Sequence, residues 1–170
     1  MTSLNNPNYT RAKSIHEFTV LNLKGEPVKL EVYKGFVCII VNIATKSSST
    51  KFHYKQFNEL MDKFGEGLRI LAFPCNQFGQ EEPGTSEEIA AHAEENKVKF
   101  DMFAKIDVNG ETASDVWKFL KNQLGGHNKM GDMIKGNYTK FLVDKRGIVV
   151  SRHGPEVQPA EFQELLKPFW

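Results

Sequence analysis

The longest apolar run in the chain, Val37-Cys38-Ile39-Ile40-Val41-Asn42-Ile43-Ala44, shows no polar alternation. Such a run predicts a strand covered on both faces, as in a parallel sheet under helices. The hydroxyl cluster that follows, Thr45-Lys46-Ser47-Ser48-Ser49-Thr50, is rich in residues that cap helix N-termini. Phe57, Leu60, Met61 and Phe64 then recur at i, i+3, i+4 and i+7, which is one apolar helical stripe. Gly65 and Gly67 end that helix, and Leu68-Arg69-Ile70-Leu71-Ala72-Phe73 reads as a second buried strand stopped by Pro74. Strand, helix and strand make a βαβ unit, with parallel pairing and a right-handed crossover.

The flanking patterns complete the topology. Phe18, Val20 and Leu23 alternate before Lys24-Gly25-Glu26-Pro27, and Val28 and Leu30 resume the alternation, so a β-hairpin precedes the βαβ unit. Thr85-Ser86-Glu87-Glu88 is a capping box and opens a helix to about Asn96. Phe100, Phe103, Ile106 and Val108 suggest an extended segment before the turn Asn109-Gly110. Ala113, Val116, Trp117 and Leu120 give another helical stripe, with Trp117 read as core. Leu124 to Gly136 is glycine-rich and irregular, long enough to suggest function or mobility. Residues 138–143 and 148–150 flank Asp144-Lys145-Arg146-Gly147 as a second hairpin, and Pro159 suits the first position of a final helix bearing Phe162, Leu165 and Leu166. The expected fold is α/β: a mixed sheet with helices on both faces, resembling the thioredoxin-like arrangement, with its site at the first βα turn. Residues 1–14 read as a loose polar arm and 15–170 as one domain.

Composition narrows the function classes. At 170 residues, with 40% apolar and 25% charged side chains, the chain suits one soluble domain with a full core. A net charge of +1 gives no bulk field for nucleic acid. The two cysteines, Cys38 in a predicted buried strand and Cys75 after another, do not form a disulfide framework. Neither a leader-type apolar segment nor a membrane-spanning run is visible, so a cytoplasmic, reducing compartment is expected.

The strand–turn–helix junction at Ser47 is the candidate site. It presents free backbone N–H groups and the positive end of a helix dipole, where redox enzymes often hold a thiolate. Here the residue is a serine. The words around it resemble the glutathione peroxidases, most closely the small monomeric type acting on phospholipid hydroperoxides. Leu68-Arg69-Ile70-Leu71-Ala72-Phe73-Pro74-Cys75-Asn76-Gln77-Phe78-Gly79 reproduces a family word nearly letter for letter. Residues 98–103, 108–110 and 137–144 are similar to other family blocks, so the resemblance spans nearly the whole chain. It implies the glutathione peroxidase type of thioredoxin-like fold and reduction of hydrogen and lipid hydroperoxides by thiols, without cofactor or metal. The long insertion of tetrameric members, expected between Asn109-Gly110 and Gly136, is absent, which implies a monomer.

The resemblance also locates four site positions, and the chain departs at three. Ser47 stands where the family carries its peroxidatic selenocysteine or cysteine, and Ser48 where a glycine is usual. Glu81, in Glu81-Glu82-Pro83, replaces the catalytic glutamine, and Gly136 replaces the tryptophan before the retained Asn137. No cysteine stands near Glu94, where thioredoxin-coupled members carry a resolving thiol. A peroxidatic nucleophile must be oxidised and then reduced by a thiol, and a serine hydroxyl has no such oxidation ladder. A carboxylate at 81 disfavours a neighbouring thiolate, and glycine at 136 removes an indole N–H donor. The implied reading is an inactive binding or regulatory pseudoenzyme with an unknown protein partner. The alternative is an active peroxidase, reduced by glutathione or thioredoxin, whose nucleophile was engineered to Ser47. A change at Ser47 alone would favour that alternative; three changes favour a degenerate site.

Other residues carry less. Cys75 reads as a structural thiol and the serine cluster as helix caps, since no Gly-x-Ser-x-Gly elbow surrounds it. His16, His53, His92, His127 and His153 lack ligand spacing and read as surface residues. Lys129, Lys135 and Lys140, with Lys145 and Arg146, flank the irregular loop, where phospholipid-active members present a basic surface. They are candidates for an anionic lipid surface, each adding about 1 kcal/mol near a membrane.

Overall fold

The apolar run predicted as the central strand is buried at every one of its seven positions, Val37–Ile43. The computed structural model describes residues 4–123 and 133–170. In chain order the elements are β1 (Thr19–Leu21), β2 (Pro27–Lys29), β3 (Val37–Ile43), α1 (Thr50–Phe64), β4 (Leu68–Pro74), α2 (Ser86–Glu95), β5 (Asp101–Met102), α3 (Asp115–Asn122), β6 (Lys140–Val143), β7 (Val149–His153) and α4 (Phe162–Leu165). Short 3-10 turns occupy Ile15–Glu17, Leu30–Tyr33, Pro159–Glu161 and Lys167–Phe169.

The main sheet runs β5-β4-β3-β6-β7, and β1-β2 forms a separate hairpin. β3 pairs in parallel with β4 from Val37↔Leu68 to Ile43↔Pro74, and antiparallel with β6. Because side chains alternate across a strand, β3 feeds two cores. Val37, Ile39, Val41 and Ile43 meet Tyr54, Phe57 and Leu60 of α1 and Phe162 of α4. Cys38 and Ile40 meet Trp117, Phe119 and Leu120 of α3 on the other face. The expected mixed sheet with helices on both faces is therefore present.

Local chemistry explains most boundaries. The Thr85 hydroxyl accepts from Glu88 N at 3.2 Å while Glu88 Oε1 accepts from Thr85 N at 3.4 Å, closing the predicted capping box. Gly147, at φ 82°, turns the β6–β7 hairpin, where Asp144 Oδ1 accepts from Arg146 N and Ile148 N.

Three expectations change. The segment after Phe100 continues beside β4 through Phe103 N to Ala72 O and Ile106 N to Pro74 O, although only two residues count as strand. The final helix is a 3-10 turn, one α turn and a second 3-10 turn, because Pro168 follows too closely for a long helix. The N-terminal arm is not loose along residues 4–14. Asn6 Oδ1 accepts from Thr19 N at 2.7 Å, Asn6 Nδ2 donates to Thr19 O at 3.1 Å, and Ala12 is buried.

Candidate functional site

The turn between β3 and α1 is gripped from a distant loop. Thr45 N and Oγ1 donate to the two oxygens of Glu82, at 3.0 and 2.6 Å, and Lys46 N donates to Glu81 O at 3.0 Å. Thr50 N then donates to Ser47 O at 3.2 Å, which presents residue 47 on a tight turn before the helix. The serines do not cap α1 as expected. Ser49 holds the N-cap position without a side-chain cap bond, and its N–H donates instead to Ser47 Oγ at 3.3 Å. The Ser47 and Ser49 hydroxyls share a hydrogen bond at 3.2 Å. The Thr50 hydroxyl is also diverted, donating to Ala44 O, while Tyr138 Oη donates to Thr50 Oγ1 at 2.9 Å. The hydroxyls thus stabilise the turn rather than the helix end.

Asn42, the one polar residue inside β3, positions the opposite wall. Its Nδ2 donates to Gly136 O at 3.0 Å and its Oδ1 accepts from Thr139 N at 3.0 Å. Tyr138 N donates to Asn42 O at 2.7 Å, holding Tyr138 at φ 67°, a left-handed conformation that costs a non-glycine residue about 1–2 kcal/mol. The clamp carries Asn137 to Glu81, where Asn137 Nδ2 donates to Glu81 Oε1 at 2.9 Å. A carboxylate only accepts, so the amide nitrogen must face it. Asn137 Oδ1 is left buried without a hydrogen-bond partner. Among the described residues, a Cβ built on Gly136 would meet only Pro155 Cγ, at an ordinary 3.5 Å.

The four sequence-predicted positions are therefore linked: Ser47 through Lys46 to Glu81, Glu81 to Asn137, and Asn137 to Gly136. The polarity of the linkage is informative. Glu81 occupies the Asn137 amide donor and offers only acceptors itself. Asn42 and Glu82 were missed from sequence, and both hydrogen-bond to the segments that carry the four positions. A polar residue within an apolar strand was the one available signal for Asn42.

The remaining candidates separate by burial. Lys140 is corrected as a lipid contact: its side chain is fully buried, and Nζ donates to Val157 O at 2.6 Å. Burial brings its ammonium down to about 8, against the opposing pull of Glu156 and Glu161. Lys135 is exposed, and Lys129 lies outside the described residues. Cys75 is buried with Sγ 3.6 Å from Gln77 Oε1, and burial pushes its thiol up, as it pushes Cys38 up to about 12. Both thiols are free, and their environments favour the unreactive protonated form. His16 and His53 are buried rather than on the surface, His53 stacking on Tyr138 at 4.1 Å between ring centroids. His127 lies outside the described residues, among which no group of three or more His, Cys, Asp or Glu could hold a metal ion. No helix among them is long and apolar enough to cross a membrane.

The architecture is that of a thioredoxin-like α/β protein. A thioredoxin-family thiol:disulfide interchange protein from Chlorobium tepidum aligns with a TM-score of 0.65, over 94% of this chain and 97% of its own, at 15% identity, a likeness of fold alone. The family description "Glutathione peroxidase" matches residues 15–121, and the chain belongs to the glutathione peroxidase family. It is 50% identical over 156 residues to the phospholipid hydroperoxide glutathione peroxidase of Callithrix jacchus, covering 91% of this chain and 79% of that one. The Mus musculus protein of the same description is 49% identical over 156 residues, with the same coverage. Among solved structures, T. cruzi GPX1 aligns with a TM-score of 0.75 and 35% identity, over 92% of this chain and 96% of its own.

Proposed function

We propose that this chain keeps the glutathione peroxidase scaffold but, as written, does not reduce hydroperoxides, and acts by binding a protein or lipid partner. The observation that carries this reading is the contact between Glu81 Oε1 and Asn137 Nδ2 beside a turn that bears Ser47. Peroxide reduction by this family's chemistry requires a thiolate or selenolate to attack one peroxide oxygen. The other oxygen leaves with a proton, and the oxidised chalcogen is then returned by a thiol. The Ser47 hydroxyl offers neither an accessible anion near neutral pH nor a reducible oxidised form. Glu81 further withdraws the donor that would have stabilised developing negative charge.

The test is a coupled assay with hydrogen peroxide and a phospholipid hydroperoxide, supplied with glutathione or thioredoxin. Turnover no greater than buffer is expected. Turnover that survives Cys75→Ser would overturn the reading. The second reading is an active peroxidase whose nucleophile was replaced at position 47, with glutathione or thioredoxin as reductant. It is favoured by Asn137 and by the nearly intact family word at residues 68–79. The natural codon at position 47 decides between the two.

The same proposal places the protein in the cytoplasm as a monomer, with Lys135 and Lys129 as its remaining contacts to an anionic lipid surface. Binding to phosphatidylserine-containing liposomes should appear at low salt and fade as salt rises, since exposed charges are screened within about 10 Å at 0.1 M. Equal binding to neutral liposomes would remove the lipid surface from the proposal. Lys140→Gln should leave liposome binding unchanged, because its side chain is buried.

A further inference from the structure

Glu82 is a fully buried carboxylate, although the alignment of family positions falls on its neighbour Glu81. A buried carboxylate is costly unless its oxygens are satisfied. Here both are satisfied by one residue: Thr45 N donates to Oε2 at 3.0 Å and Thr45 Oγ1 to Oε1 at 2.6 Å. Glu82 is itself held in place, because its N–H donates to Asn76 Oδ1 at 2.9 Å. Thr45 is the second residue after β3 and lies two residues before Ser47, so the pair holds the chain just ahead of residue 47. Lys46 N also donates to Glu81 O, a main-chain bond from this loop to the turn.

We propose that Glu82 is a positioning residue for position 47: its buried carboxylate, gripping Thr45 by main chain and side chain at once, sets where the turn presents that side chain. Charge-assisted bonds from a fixed carboxylate are shorter and stronger than neutral ones, which suits a two-point grip. The titratable groups around Glu82 come from several elements. Lys46 on the turn and Lys105 after β5 attract it, and its charge is felt by the neutral Cys75 after β4, Tyr54 of α1 and Tyr138 before β6. Burial pushes the Glu82 carboxyl up, while the Thr45 bonds and the two lysines hold it down. The inference holds whether or not the chain turns over peroxide, since it concerns geometry at residue 47.

The experiment uses the full chain with Ser47→Cys as a reporter thiol. Its alkylation by iodoacetamide is followed against pH, which gives a thiol midpoint and a plateau rate for the thiolate. Into this background go Glu82→Gln, whose amide nitrogen cannot accept from Thr45, and Thr45→Val, which removes the hydroxyl donor but keeps the shape. Glu87→Gln, an exposed carboxylate of α2, is the charge control. A positioning role is expected to change the plateau rate by about threefold or more and to move the midpoint by about 0.5 in both test variants, but not in the control. If Glu82→Gln fails to fold, Thr45→Val alone carries the comparison. A plateau and midpoint matching the parent in every folded test variant, even with a lowered Tm, would overturn the proposal and leave Glu82 a purely structural group.

Discussion

Ser47→Cys alone is expected to yield a poor peroxidase, and the triple variant Ser47→Cys, Glu81→Gln, Gly136→Trp one at least about 100-fold faster in its second-order rate with peroxide. The single variant restores a thiol on the turn preceding α1, where the helix dipole favours the thiolate. The surroundings work against it. Glu81 brings negative charge to the site and engages Asn137 Nδ2 at 2.9 Å, so the one retained donor is turned away. Glu81→Gln removes that charge, and its amide supplies both an acceptor for Asn137 and a donor for the thiolate. Gly136→Trp adds an indole N–H at a position where, among the described residues, a Cβ meets only Pro155 Cγ. One positioned donor is typically worth about 3 kcal/mol in the transition state, or about 100-fold in rate. The thiol pKa should also fall from the single to the triple variant. Equal rates and equal thiol pKa values would show that residues 81 and 136 do not act on position 47.

What the sequence conveyed about this fold tracks how local each interaction is. The βαβ unit was legible because a continuous apolar strand and a helical stripe declare themselves within a window of a dozen residues. The capping box at Thr85 and the turn at Gly147 were legible for the same reason. Asn42 was not, since its partner Gly136 lies 94 residues away. Glu82 was not, since Thr45 lies 37 residues away and the Glu81-Glu82 pair gives no local sign of which carboxylate is buried. Lys140 looked like a surface lysine beside other basic residues. Its burial depends on carbonyls of Pro155 and Val157, supplied by a loop beyond β7. The serine cluster misled in the opposite sense: hydroxyls near a helix start usually cap it, but here the nearest unpaired partners belonged to the turn. The four site positions came from the resemblance to a family, and their linkage through Lys46, Glu81 and Asn137 is a property of the tertiary fold.

His53 should make the protein acid-labile well above the pH at which ordinary carboxylates titrate. Its ring is buried on the first turns of α1, stacked on Tyr138, with Nδ1 3.0 Å from Ser49 O. A carbonyl only accepts, so Nδ1 carries the proton and Nε2 is the bare nitrogen. Nε2 is buried and has no hydrogen-bond partner, so a proton added there would have nothing to donate to. Burial, reinforced by the Lys140 ammonium and opposed by Ser49 O, brings the His53 pKa from 6.5 down to about 4. The unfolded chain therefore binds more protons than the folded one between these two values, and stability rises with pH across that window. The contribution is fully present above pH 6.5 and is lost as pH falls towards 4, amounting to about 3 kcal/mol at 1.4 kcal/mol per pH unit. Urea unfolding of the parent chain and of His53→Phe, measured from pH 8 to pH 4, isolates the effect, because phenylalanine keeps the stacking surface and cannot be protonated. The difference in unfolding free energy should be constant above pH 7 and shift in favour of His53→Phe below 6.5. A difference that stays flat down to pH 4 would mean that protonated His53 finds a partner in the folded state, with Nε2 opening to solvent while the turn at Ser49 remains closed.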